Sequence, residues 1–294
     1  MPDFGIMRGF NEKLFGDKLV AGQLPTQLGL IGSQSTFVGL LDTYTNAAAA
    51  YSLRKLRAAY AGSSIRVRRT DLTEADIGFN ALGDLDTLAL LSFTGTGALD
   101  NGFVTTWYDQ SGNAINATQT TALDQPQIVS AGSVLTNGGK PCLQFDNTND
   151  SLITTLTITR PYSIYAQFLQ FSSLTLNRIL NSTSTNSLIT SSRVSNTVFT
   201  GANVVESAYA SNNQNVIVSL IESTTSTTKF FYNLNNIAIA SPGSADWGIL
   251  AFGSTSARPE PANGQIKETI VWATDQSSNN IGIQNNMNAY YGIY

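Results

Sequence analysis

Short runs of alternating apolar and polar residues dominate the chain from residue 60 onward. The clearest is 163–168, Ser-Ile-Tyr-Ala-Gln-Phe. A period of two is typical of β-strands, because successive side chains point to opposite faces of a sheet. Turn residues separate the runs, and many short strands between turns indicate a sandwich or a barrel. We predict strands at 64–69, 103–108, 142–145, 163–169, 216–221, 229–232, 249–252 and 264–272.

Three segments show helical signals instead. Residues 45–60 include four consecutive alanines, with Asn46 as a suitable N-cap and Gly62 as a stop signal. Alanine is the best helix former, and apolar residues recur there at helical spacing, so we predict a helix. Shorter helices are predicted at 86–93 and 281–290. The fold class that follows is all-β, a β-sandwich with a few short helices.

Residues 1–36 differ in character from the rest of the chain. Large apolar residues recur there, but glycine and proline interrupt every periodic pattern. Such a segment cannot build its own core, yet it is too apolar for a solvated tail. We predict an extended arm, 1–36, that docks either on the domain that follows, 37–294, or on a partner chain. The predicted anchoring side chains are Phe4, Ile6, Phe10, Leu14 and Phe15.

The composition excludes several kinds of site. The 294 residues carry a net charge of −4, and the one dense basic cluster is Arg66, Arg68 and Arg69. We expect these arginines to be solvated or ion-paired, and we expect no nucleic-acid surface. The absence of histidine excludes Ser-His-Asp triads and His-ligated zinc. The single cysteine, Cys142, permits no internal disulfide, and no apolar run is long enough to cross a membrane.

The most specific motif is Trp-Tyr-Asp-Gln-Ser-Gly-Asn at 107–113, where a predicted strand enters a polar turn. It is followed by Gln-Pro-Gln-Ile-Val at 125–129, by Lys-Pro-Cys-Leu-Gln-Phe-Asp at 140–146 and by the closing strand 264–272. This order resembles concanavalin A-like, laminin-G-like jelly-roll domains over roughly residues 37–294. The resemblance implies a concanavalin A-like jelly-roll β-sandwich. Such domains usually bind glycans or serve as structural modules.

A narrower resemblance rests on residues 60–69, 73–78 and 108–113. They are similar to the first part of the concanavalin A-like catalytic domain of a fungal α-L-arabinofuranosidase family. That family implies a retaining glycosidase, which needs two carboxyls about 5–5.5 Å apart. Its two carboxyls lie in the second half of the domain, where this chain has no matching motif. The acids there are Glu206, Glu222, Asp246, Glu260, Glu268 and Asp275. The resemblance therefore predicts the fold and not the activity.

Aromatic side chains are candidates for glycan binding, because a ring face packs against the apolar face of a pyranose. Trp247 lies in a predicted loop, while Trp107 and Tyr108 adjoin the polar turn, and Arg258 completes the predicted set. The alternative for aromatic residues in strands is core packing. By alternation, Trp107 and Tyr108 face opposite sides of their sheet, so at most one of them lies in the core.

Four polar side chains near turns are candidate calcium ligands, because calcium takes six to eight oxygens. They are Asp109, Asn113, Asp146 and Asp150, and their spacing matches no established calcium motif. The alternative is that Asp109 and Asp146 close their own turns through bonds from side chain to backbone. We predict no required cofactor, with calcium as the one ion considered.

An apolar, glycine-rich arm joined to a histidine-free jelly roll resembles structural proteins of tailed bacteriophages. The resemblance implies a non-enzymatic virion protein, either a head decoration or head fibre or a tail appendage, with an exposed lectin-like domain. Its partners would be other virion proteins, through the arm, and cell-surface glycans, with no nucleic acid and no membrane insertion. A homo-oligomer is expected, since trimers are common among virion appendages. The alternative is a glycoside hydrolase of arabinofuranosidase type that acts with two carboxylates.

Overall fold

Two antiparallel sheets face each other in the computed structural model. It describes residues 37–171, 176–182, 187–191, 196–200, 203–207, 213–223, 228–240, 246–253 and 261–294. These residues belong to one compact unit, Phe37–Tyr294. The predicted arm lies outside the described residues, as does Arg258, so docking through Phe4, Ile6, Phe10, Leu14 and Phe15 stays a prediction.

The strands and helices are short, as the turn-rich sequence predicts. The helices are α1 (Leu40–Thr43), α2 (Thr87–Thr94) and α3 (Asn280–Tyr291), with a 3₁₀ turn at Ala122–Asp124. The strands are β1 (Ala49–Ser52), β2 (Ile65–Arg69), β3 (Glu74–Ile77), β4 (Gly102–Trp107), β5 (Ala117–Thr118), β6 (Gln127–Ser130), β7 (Ser133–Val134), β8 (Thr136–Asn137), β9 (Lys140–Pro141), β10 (Leu143–Asp146), β11 (Ser151–Ile158), β12 (Tyr162–Gln170), β13 (Leu176–Ser182), β14 (Ser187–Ser191), β15 (Asn196–Thr200), β16 (Asn203–Ser207), β17 (Asn215–Glu222), β18 (Thr228–Tyr232), β19 (Asn235–Ala240), β20 (Gly248–Gly253) and β21 (Asn263–Trp272).

The first sheet has the order β19-β18-β17-β12-β21. The other edge of β21 pairs with two strands that lie end to end. Strand β1 pairs with the second half of β21, and β10 pairs with the first half. The second sheet runs β3-β2-β4-β5-β11-β20-β13-β14-β15-β16. Strand β6 pairs with β4 and also with β10, so it joins the two sheets along one side. All of these pairings are antiparallel, as expected for a sandwich.

Apolar side chains from both sheets fill the space between them. Strand β12 shows the arrangement, because Ile164 and Phe168 point into this core while Tyr165 points to the opposite face. The outer face of the first sheet is covered as well, since α3 packs Ile283 and Met287 against it. The first sheet is thus buried on both sides, which explains why β12 is apolar beyond simple alternation. No helix in the described ranges has the length and apolar character needed to cross a membrane.

The predicted strands and the two shorter helices are confirmed, with boundaries that differ by one or two residues. The predicted all-β sandwich is confirmed with them. The helix predicted at 45–60 is wrong, because Ala49–Ser52 forms strand β1, with Ala49 opposite Val271 of β21. Both Ala49 and Ala50 are fully buried, on opposite faces of the strand. Small side chains are needed where this strand lies between packed layers, and that tertiary demand overrides helix propensity.

Candidate functional site

A cleft of about 440 Å³ opens where the β2–β3 turn, the 3₁₀ turn and the β10–β11 turn meet. Two carboxyls line it, Asp146 at the end of β10 and Asp150 just before β11. Arg68 from β2 contributes a positive charge. Amide side chains supply further polar surface, and the exposed leucines Leu72 and Leu123 line the same cleft. The cleft therefore combines acids, a base, hydrogen-bonding groups and apolar surface.

Asp150 is the most perturbed acid in this cleft. Its side chain is nearly buried, with 5% of the residue exposed, and one of its oxygens, Oδ2, accepts the backbone N–H of Asp146 at 2.9 Å. Burial raises the pKa of Asp150 to about 7, and the negative charges of Asp146 and Asp124 add to that rise. The carboxyl therefore exchanges a proton near neutral pH, which is the property of a general acid or base.

Asp146 is exposed at the same turn. Its Oδ1 atom accepts the backbone N–H of Thr148 at 2.8 Å, so this aspartate closes its own turn, one of the alternatives open from the sequence. Asn147 next to it has a φ of 65°, a conformation that asparagine tolerates better than most residues. The turn therefore holds both carboxyls on one short loop between β10 and β11.

Arg68 organises one wall of the cleft. Its Nε donates to Oε1 of Gln125 at 2.6 Å, and its Nη2 donates to the carbonyl oxygen of Ala122 at 3.0 Å. The guanidinium also lies over the ring of Phe103, 4.8 Å from its centre. These contacts tie the 3₁₀ turn to β2. The other two members of the basic cluster are ion-paired as expected, Arg66 with Asp76 and Arg69 with Asp71.

The two predicted glycan-binding tryptophans lie in the core and not in the cleft, which corrects their assignment. Trp247 is fully buried in a T-shaped contact with the Tyr162 ring, and Trp107 is fully buried against Tyr51 and Phe252. A buried indole cannot offer its face to a sugar. The sequence placed Trp247 in a loop, but it directly precedes β20. The inward side chains of β20 lie in the core, and Trp247 is buried with them.

Tyr108 lies on the other side of its strand, as alternation predicts. Its hydroxyl donates to Oδ1 of Asp76 at 2.7 Å, beside the Arg66 pair. Partial burial raises the pKa of Tyr108 to about 12, and the bond to Asp76 adds to the effect. Tyr108 does not line the cleft, so a glycan role for it stays a prediction.

The four predicted calcium ligands do not form one site, because Asp146 and Asp150 share the cleft while Asp109 and Asn113 belong to a different turn. Asp109 accepts the N–H groups of Ala50, Ser111 and Ile115 and the hydroxyl of Ser111, so its oxygens close the turn as the alternative proposes. The Asn113 amide donates to the carbonyls of 47 and 48, whereas Asp146 lies in the cleft. In the described ranges, no group of three or more acidic, cysteine or histidine side chains is placed to hold a metal ion.

The buried acids in the second half of the domain are engaged in structural contacts. Glu268 is fully buried and receives two bonds from Arg54, at 2.7 and 2.9 Å, together with bonds from Ser52 and Tyr291. Glu222 is also fully buried and accepts the hydroxyl of Thr228 at 2.9 Å. Neither of these two carboxylates lines the cleft that contains Asp150. The side chain of Glu206 and the residue Glu260 lie outside the described residues.

The sequence indicated Asp150 only as a calcium candidate and gave no sign of its acid–base character. Its raised pKa depends on burial between turns that are distant in the chain. The one available signal was the density of acids in Phe-Asp-Asn-Thr-Asn-Asp at 145–150.

Comparison with known proteins identifies the fold and no close relative. No family model matches the chain, and no curated protein matches it. Among solved structures, an arabinofuranosidase complexed with arabinofuranosyl-α-1,2-xylobiose is 17% identical over 85% of this chain and 64% of its own, with a TM-score of 0.61. A GH54 α-L-arabinofuranosidase soaked with a cyclic sulfate inhibitor is 16% identical over 85% and 65%, with a TM-score of 0.62. This chain therefore spans a little under two thirds of their length.

These matches correct the expectation that the chain is not an enzyme. Three solved structures that share its fold over 85% of its length are arabinofuranosidases, and the narrower sequence resemblance pointed to the same fold. The matches show that this chain shares its fold with arabinofuranosidase structures over 85% of its length. The resemblance to virion proteins has no counterpart in these matches.

Proposed function

We propose that this chain is a glycoside hydrolase that acts on α-L-arabinofuranosides, with Asp150 and Asp146 as its two carboxyl residues. The observation that carries the proposal is the Asp150 carboxyl, nearly buried in an open cleft and with a pKa raised to about 7. Pairs of carboxyls in which one is held protonated are typical of glycosidase sites. The shared fold of the arabinofuranosidase structures supports the choice of substrate class.

Asp150 acts as the general acid. Its proton passes to the glycosidic oxygen as the bond from that oxygen to the anomeric carbon breaks, and the leaving alcohol departs neutral. Burial favours the protonated form before the reaction, because the charged carboxylate is poorly solvated there. Water supplies the hydroxyl of the released sugar, and its other proton goes to Asp150 in a retaining reaction or to Asp146 in an inverting one.

Asp146 is the charged partner. Its exposed carboxylate stabilises the positive charge that develops on the sugar ring, as nucleophile in a retaining reaction or as base in an inverting one. Gln127 and Gln144 line the same cleft and supply amide groups for sugar hydroxyls. Proton NMR of the first-formed product distinguishes the two stereochemical outcomes.

The proposed pair lies in the first half of the domain and is this chain's own. The arabinofuranosidase family uses carboxyls from the second half, and the described acids there include the buried Glu222 and Glu268. A shared fold does not carry a shared site with it. The proposal therefore depends on the cleft, and the shared fold only supports it.

The test is hydrolysis of two α-L-arabinofuranosides with different leaving groups. We expect the wild type to release sugar from both the methyl and the 4-nitrophenyl glycoside. Asp150→Asn should lower kcat on the methyl glycoside about 10²- to 10⁴-fold, the usual contribution of a general acid. The loss should be smaller on the 4-nitrophenyl glycoside, because nitrophenolate leaves without a proton.

Asp146→Asn should lower the rate on both substrates, since charge stabilisation is needed for either leaving group. The matched control is Asp275→Asn. Asp275 is an exposed turn aspartate that accepts the backbone N–H of Ser277 and does not line the cleft. Its rates should equal those of the wild type. Absence of hydrolysis by the wild type, or equal rates in Asp150→Asn, would contradict the proposal.

A further inference from the structure

Two leucines at the cleft are exposed without any packing role in the described chain. Leu123 is 83% exposed and Leu72 is 67% exposed, and both line the cleft with the acids. Single exposed leucines are ordinary on protein surfaces. Two that meet at one cleft are different, because apolar surface gathered at a concave site marks a place where a ligand binds.

The backbone of Leu72 adds a second observation. Its φ is +70°, in the left-handed region that glycine and asparagine favour and that leucine rarely adopts. The turn holds it there, since its N–H donates to the carbonyl of Arg69 at 3.1 Å and Asp71 accepts the N–H of Thr73 at 3.0 Å. An asparagine would fit this position with less strain. Strained residues of this kind cluster at ligand sites, which points to a use for the leucine side chain itself.

Leu123 is presented from a firmly held segment. It is the middle residue of the 3₁₀ turn Ala122–Asp124, and Arg68 bonds to the residues on both sides of it, at Ala122 and Gln125. A rigid backbone with an exposed apolar side chain loses little entropy when a ligand covers it. The backbone of both leucines is therefore held in place before binding.

We infer that the cleft selects glycosides with an apolar leaving group, an alkyl or aryl aglycone, and that Leu72 and Leu123 bind that group. The inference rests on the proposed function, because it takes the sugar to lie at the acids. A second sugar in that position would place its hydroxyls against the leucines, and those hydroxyls would lack hydrogen-bond partners. An alkyl or aryl group loses no hydrogen bond there and gains from leaving water.

The experiment measures kcat/KM for methyl, butyl and hexyl α-L-arabinofuranosides, whose leaving groups differ in apolar area and little in chemistry. In the wild type, kcat/KM should rise about fourfold for each methylene that the cleft buries. In the double variant Leu72→Asn/Leu123→Ser, the three values should be equal within a factor of about two. Leu88→Ser, which alters an equally exposed leucine of α2 outside the cleft, should keep the wild-type slope.

Calorimetric titration of the same three glycosides into Asp150→Asn separates this inference from the proposed function. If hydrolysis occurs without any dependence on chain length, the aglycone site is wrong and the glycosidase proposal stands. A second outcome is that no glycoside is hydrolysed, but the hexyl compound binds more tightly than the methyl one and only the leucine double variant abolishes this difference. The aglycone site is then supported and the glycosidase proposal is wrong. Equal Kd values for all three glycosides overturn the aglycone site.

Discussion

At the scale of single residues, Asp150 is placed where two effects act on its carboxyl in the same direction. Burial removes water from the carboxylate, and the neighbouring negative charges of Asp146 and Asp124 oppose ionisation. Among the described residues no basic side chain forms an ion pair with Asp150, and its one backbone bond from Asp146 opposes the rise in pKa only in part. Such a carboxyl is unfavourable for folding when charged, a feature more typical of functional sites than of scaffolds.

The stability of the protein should therefore depend on Asp150 with a defined sign. Its pKa in the folded chain, about 7, lies above the ordinary value of 3.8, so the folded state binds the proton more tightly than the unfolded state. The stabilising effect is complete below the unfolded pKa and is lost as the pH rises through 7. We expect Asp150→Asn to melt at a higher temperature than the wild type at pH 8, and the gap to narrow at pH 5. Circular-dichroism melts at both pH values measure this, and a variant less stable than the wild type at pH 8 would contradict it.

Glu268 presents the opposite case, a buried acid whose contacts are all structural. Its carboxylate holds the Arg54 guanidinium, which the Tyr290 and Tyr291 rings also cover. Removing one partner of a buried pair leaves the other charge uncompensated, so Glu268→Gln should cost about 3–5 kcal/mol of unfolding free energy. Urea denaturation measures this cost.

The control for Glu268 is an exposed pair. Asp76→Asn breaks the ion pair with Arg66, in which both side chains are about two-fifths exposed. Exposed pairs contribute less than about 1 kcal/mol, so this variant should unfold close to the wild type. If the two variants lost equal stability, Glu268 would not be the buried anchor described here.

At the scale of elements, the contacts of the Trp-Tyr-Asp-Gln-Ser-Gly-Asn turn explain why this motif needs particular residues. Asp109 bonds to the backbone of β1 as well as to its own turn, and Gln110 accepts the N–H of Leu56 at 2.8 Å. The Gln110 amide also donates to the carbonyls of Ser52 and Arg54. The turn thus supplies backbone partners for the end of β1 and the residues after it, which have few strand neighbours there.

We expect Asp109→Ala to leave three backbone N–H groups without their acceptor. Each buried unsatisfied donor is unfavourable, so the variant should lose about 2–4 kcal/mol of unfolding free energy. Asn113→Ala removes two bonds at an exposed position of the same turn and should lose about 1 kcal/mol or less. Chemical denaturation of both variants tests this, and an Asp109 variant as stable as the Asn113 variant would show that the turn does not anchor β1.

The same elements show how far local sequence determines structure. Strands such as β12 and β21 were predictable because β-branched and aromatic residues alternate between turn residues. Strand β1 was not, because its alanines favour a helix locally and become a strand only through pairing with β21 and the side chains of 109 and 110. Signals that arise from distant partners are absent from the local pattern.

At the scale of the whole molecule, the sandwich forms the cleft from segments far apart in the chain. Leu72, Leu123 and Asp150 come from three different turns, which meet because β2, β4, β6 and β10 are neighbours. The sequence therefore predicted the architecture, through strand patterns and the turn motif, but not the cleft. It also misjudged Trp107 and Trp247, because the depth of the core depends on which strands lie opposite.

The shared fold with two arabinofuranosidase structures persists at 16–17% identity. A sandwich of this kind tolerates such divergence because its core needs apolar side chains of suitable volume more than particular residues. Its turns are free to vary, and new sites arise on them while the sheets stay in place. The cleft acids of this chain lie on such turns.

The most direct test of the account is the pH dependence of kcat/KM for hydrolysis of methyl α-L-arabinofuranoside by the full chain. Because the general acid must be protonated, the rate should fall as the pH rises, with a midpoint near the Asp150 pKa of about 7. Asp150→Asn should abolish that falling limb. No hydrolysis at any pH, or a falling limb that persists in Asp150→Asn, would contradict the account.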